Sequence, residues 1–162
     1  MTTLRPTGHW VIAGSFLVAF LVASIPLPGG LDRFRPDWVA MVLIYWCLAL
    51  PHRLGMGIGW LVGLLVDVGR GALLGQHALA FATLAYLTLQ THRRLRAFAL
   101  WQQAVSVLVF LLIEQVLVFW ISGVIGYPPR DGWYLAPAVG GMIGWPLLFV
   151  VLRDAHRYFQ IT

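Results

Sequence analysis

Apolar residues in this chain fall in long unbroken stretches, and polar residues gather in the short gaps between them. Such runs predict helices, because inside a bilayer each backbone polar group must be satisfied within its own segment and the alternation of a membrane strand is missing. Six runs follow in order, at 9–25, 38–50, 54–68, 76–91, 98–125 and 133–152. The first stops at Pro26 and Pro28, and its 17 residues would rise roughly 25 Å as a helix. A cleaved leader behind Arg5 is the other reading of that run. Its length, Trp10 and the lack of a small-x-small site before the prolines favour a retained span. The run 38–50, at 13 residues, is short for a crossing. It reads as a re-entrant segment, as a short helix packed against longer neighbours, or as a crossing of a locally thinned bilayer.

No gap is long enough to hold a soluble domain, so residues 1–162 read as one transmembrane domain. Composition agrees with that reading. Hydrophobic residues make up 60% and charged residues 10%, against about 25% charged in a soluble domain. Mean hydropathy is +0.81. The expected fold is all-α, a polytopic membrane protein of about six transmembrane helices.

Charge adds topology. The eleven basic residues are all Arg, the acids number six, and the net charge is +5. The arginines are scattered between runs and form no patch, which excludes a nucleic-acid partner and suits a membrane with its phosphate headgroups. Six crossings put both termini on one side, with Arg5, Arg53, Arg93, Arg94, Arg96, Arg153 and Arg157. The other side has Arg33, Arg35, Arg70 and Arg130. The excess predicts cytoplasmic termini. Trp10, Trp38, Trp101 and Trp133 fall at run ends, where indoles favour the headgroup level, while Trp46, Trp60 and Trp145 read as packing residues.

Candidate chemistry is sparse. Gly55, Gly59, Gly63, Gly71 and Gly75 recur in steps of four, with Asp67 in the gap. A small-residue strip of this kind serves close helix packing or a partner interface. Asp67 and Arg70, three apart, are placed to pair on one helix face. Glu114 and Gln115 lie well inside the fifth run, and an intramembrane carboxylate is either functional or bonded to a neighbouring helix. The histidines show no metal-ligand spacing, Cys47 is single, and no phosphate loop, nucleophile elbow or zincin motif occurs. No cofactor and no catalytic residue is expected.

Several segments resemble one family in order along the chain. Arg35-Pro36-Asp37-Trp38-Val39 and Tyr45-Trp46-Cys47-Leu48-Ala49-Leu50-Pro51-His52-Arg53 are similar to the bacterial rod shape-determining MreD family. So are Gly57-x-Gly59, the series Gly63, Asp67, Gly71 and Gly75, and, for its proteobacterial members, Ala99–Ala104 and Trp145-Pro146. A departure is Glu114, where some relatives are expected to carry Asp. The resemblance implies a non-enzymatic inner-membrane component of the cell-elongation machinery that binds MreC. It also implies a link, direct or indirect, to MreB and to RodA with its penicillin-binding transpeptidase, which build lateral peptidoglycan. It further implies a fold similar to the substrate-binding subunits of energy-coupling-factor transporters, whose Ala-x3-Ala pattern is met by Ala19 and Ala23. Two functions follow: a scaffold that holds MreC through its spans, or a subunit that binds a small molecule or lipid in a cavity near the glycine strip.

Overall fold

The computed structural model describes residues 7–127 and 132–159. Its helices are α1 (Thr7–Ser24), α2 (Trp38–Ala49), α3 (Met56–Arg70), α4 (Gln76–Ala97), α5 (Leu100–Ile125) and α6 (Ala136–Tyr158). A short 3-10 helix, Gly29–Phe34, lies between α1 and α2. No strand occurs among the described residues. Arg5 and Arg130, two of the arginines counted above, lie outside the described residues.

The centre of the bundle is α2. Every residue from Val39 to Leu48 is buried, as expected of a helix that is apolar on all faces. Its 12 residues rise only about 18 Å, less than the roughly 30 Å of hydrocarbon in a bilayer. Contacts with α1, α4, α5 and α6 enclose it, so protein rather than lipid surrounds it. Backbone that ends at membrane depth is tolerated when protein or a water-filled cavity covers it. The shortness of this run therefore reflects its place in the middle of the bundle.

Polar side chains fix the direction of each helix. Arg96 at the end of α4 donates to the carbonyls of Leu48 and Ala49 at the end of α2, a cation on the negative end of a helix. Gln103 near the start of α5 donates to Leu95 O at 2.9 Å. Gln76 at the start of α4 reaches Val118 O and Ser122 Oγ late in α5, at 3.2 and 2.6 Å. Trp46 joins α2 to α1 through its indole N–H on Ser15 Oγ at 2.8 Å, and its ring faces His156 of α6 at 5.8 Å. Successive helices thus alternate in direction. The start of α1 and the end of α6 share the end that carries Arg53 and Arg96.

The α4 helix continues to Ala97, beyond its apolar run. Arg94 and Arg96 occupy its last turn, where cations suit the helix dipole. By length and apolarity, α5 and α6 are each sufficient to cross a membrane. Outward faces carry exposed Leu17, Leu21, Val116, Trp120, Ile143 and Leu147, an apolar surface that belongs against lipid. Trp46 and Trp145 are fully buried, whereas Trp60, read from the sequence as a packing residue, is 47% exposed. It lies on the flank of α3, one residue round from Gly59.

Candidate functional site

The turn between α3 and α4 is organised by a single carboxylate. Asp67 is completely buried. Its Oδ2 accepts from Gly75 N–H at 2.9 Å and Ala78 N–H at 3.4 Å. Its Oδ1 accepts from His77 N–H at 3.0 Å and faces His77 Nδ1 at 2.8 Å. These donors are the free N–H groups of the first turn of α4, so Asp67 caps that helix from the preceding one. Gly71 and Gly75 make the turn possible, with φ of +64° and +103°, a left-handed region that costs glycine little.

The pair expected between Asp67 and Arg70 does not form among the described residues. Arg70 sits one turn on, at the end of α3, and meets the other side of the His77 ring. Its Nη1 lies 3.3 Å from His77 Nε2, and its Nη2 lies 3.7 Å from Asp37 Oδ2. An imidazole with its proton on Nδ1 satisfies both neighbours, donating to Asp67 and accepting from Arg70. Asp37 in turn caps α2 by accepting from Ala40 N–H at 3.2 Å. A continuous polar line, Asp67–His77–Arg70–Asp37, therefore ties the ends of α3, α4 and α2 together.

This line borders a cleft of about 700 Å³ that opens at the end of the bundle opposite Arg53 and Arg96. The wall formed by the 3-10 helix is pinned from two sides. Arg35 donates to Ala23 O at the end of α1 at 2.7 Å, and Asp32 lies 3.4 Å from it. The Arg33 guanidinium lies over the Trp133 ring at 5.6 Å. Gly140 on α6 admits the Phe34 carbonyl so closely that any side chain there would collide with it.

Glu114 and Gln115 of α5 also line the cleft. Glu114 lies about 16 Å along the helix from Ile125, so the cleft reaches well into the bundle. The Glu114 side chain is 3% exposed, with Asp37 and Arg70 as its charged neighbours. It makes no hydrogen bond among the described residues. The Gln115 Oε1 atom is likewise buried without a partner. Buried polar groups are nearly always bonded, so the unpaired Gln115 oxygen beside the Glu114 carboxylate marks a place in the cleft for an incoming donor.

The glycines divide. A Cβ on Gly63 would collide with the backbone of His77 and Ala78, and one on Gly59 would come within 2.8 Å of Phe81 O. Both are therefore occupied by α4 of the same chain. Gly55, Gly71 and Gly75 have nothing within 4 Å of such a Cβ and stand at helix ends. The strip does not continue as one face. No cluster of three His, Cys, Asp or Glu side chains suited to a metal occurs among the described residues.

Comparison with known proteins places the chain. A family model described as rod shape-determining protein MreD matches residues 4–154. The chain belongs to the MreD family. Among curated proteins, the rod shape-determining protein MreD of Haemophilus influenzae is 30% identical over 156 residues, covering 94% of each chain. No solved structure matches. Family membership and the apolar helices make this a membrane protein with a role in rod-shape determination.

Sequence reasoning singled out Asp67, Arg70, Glu114 and Gln115, and the structure brings Arg70, Glu114 and Gln115 to the cleft with Asp67 behind it. It missed Asp37, His77 and Gly140. Asp37 carries the usual signal, an Asp immediately before an apolar helix. His77 has none, since its partner lies ten residues back across a turn.

Proposed function

We propose that this protein is a non-catalytic scaffold of the cell-elongation machinery, with six crossings of the inner membrane and both termini in the cytoplasm. It binds MreC and so supports lateral peptidoglycan synthesis by RodA and its transpeptidase, in register with MreB. The observation that carries the reading is the buried, unbonded Gln115 Oε1 beside the Glu114 carboxylate, both lining the cleft. With Gly59 and Gly63 turned toward α4, the cleft offers a polar surface for recognition that the glycine strip does not. Under cytoplasmic termini it opens to the periplasm, where the single-span MreC leaves the bilayer.

A second reading has support of its own. The cleft volume of about 700 Å³ falls within the 300–1,000 Å³ typical of ligand sites, which suits a small molecule or lipid held as in transporter substrate-binding subunits. Purification in mild detergent with and without MreC, followed by mass determination and analysis of bound small molecules, separates the two. The scaffold reading expects a stable complex with MreC and an empty cleft in its absence.

A further inference from the structure

Two apolar grooves flank α1, and among the described residues only one of them has a cation, Arg53, at its end. Because α1 packs on α2 while α3 packs on α4, a gap remains between α1 and α3. It forms a groove of about 680 Å³ walled by Ile12, Phe16, Ile58, Val62 and Leu65 and floored in part by Val39. At the arginine-bearing end of the bundle it is lined by His9 and Arg53. Arg53 is half-buried, yet its guanidinium has no hydrogen bond or ion pair among the described residues. At the far end the Phe20 ring fills the space left by Gly69, where any side chain would collide with that ring. The groove between α1 and α6, about 430 Å³, has no charged lining residue.

We infer that the α1–α3 groove is a site for one anionic phospholipid, its acyl chain along the groove and its phosphate at Arg53 and His9. Charge selects this occupant, since a half-buried cation without a partner at the mouth of an apolar slot calls for an anion with a hydrocarbon tail. The closed end at Phe20 and Gly69 limits how far the chain extends and keeps it out of the polar cleft. Anionic headgroups near a membrane surface attract such cations, and the lipid would tie the first helix to the third where protein contacts do not.

The test uses the full chain, stripped of lipid in detergent and titrated with phosphatidylglycerol or phosphatidylcholine of the same acyl composition, with bound lipid counted by native mass spectrometry. The wild type should retain one phosphatidylglycerol in preference to phosphatidylcholine. Arg53→Ala should weaken phosphatidylglycerol retention roughly fivefold and leave phosphatidylcholine unchanged. Ala13→Phe or Leu65→Phe, which fill the groove from opposite walls, should reduce both lipids, whereas Gly14→Phe in the other groove should change neither. Absence of headgroup preference, indifference to Arg53→Ala, or equal loss with Gly14→Phe would leave only general annular lipid and overturn the assignment. Release of MreC by Ala13→Phe with phosphatidylglycerol binding intact would instead make the groove a helix-docking surface.

Discussion

The carboxylate of Asp67 lies 2.8 Å from Nδ1 of His77, across a turn in which two residues, Gly71 and Gly75, have left-handed backbone. That contact joins a helix cap to the wall of the cleft, because the other ring nitrogen of His77 meets Arg70.

Asp67→Ala should therefore be among the most damaging single changes in the protein. It strands several buried N–H groups, each costing about 1–3 kcal/mol when unsatisfied. Asp67→Asn keeps one acceptor and should cost less, and His77→Ala less again because the backbone bonds survive. Thermal unfolding in detergent should rank the three in that order.

Gly63→Leu should disrupt the α3–α4 pair and lower the amount of folded protein. Gly57→Leu, on the same helix with nothing within 4 Å of an added Cβ, should be tolerated. Equal tolerance of both, judged by protein level in the membrane, would show that α3 and α4 do not pack as described.

How much of this was readable from the sequence depends on how far apart the partners lie. The six helices were legible because apolar runs and their breakers are local signals. The short α2 was ambiguous between a re-entrant segment and a packed helix, since its burial is decided by neighbours distant in the chain. The glycine periodicity was visible, but it could not reveal that the face at Gly59 and Gly63 is taken by α4 while Gly71 and Gly75 serve a turn. Asp67 and Arg70 looked like partners because they are three apart. The first turn of α4 supplies more donors to Asp67 than one guanidinium would, and only the reversal of the chain brings it there.

Glu114 separates stability from recognition. It has no hydrogen bond to lose among the described residues, and an unpaired buried carboxylate is costly. Glu114→Leu should leave thermal stability equal or higher while weakening capture of MreC, and Glu114→Gln should fall between Leu and wild type in capture. A large loss of stability in Glu114→Leu would mean that the carboxylate is bonded within the chain.

The proposed topology rests on the alternating helices and the arginine excess. Reporter fusions at Arg94 and after Thr162 should read as cytoplasmic, and one at Arg130 as periplasmic. A periplasmic C-terminus would mean that one helix, α2 first among them, does not cross.

The central claim is that the membrane-level cleft holds MreC. The most direct measurement is co-purification of MreC reduced to its span and the residues adjoining it, lacking the folded periplasmic domain. Wild-type protein should retain this shortened MreC, and Glu114→Arg, which places a cation where a donor is expected to enter, should release it while remaining folded. Loss of shortened MreC from the wild type while full-length MreC is kept, or its equal retention by Glu114→Arg, would contradict the account.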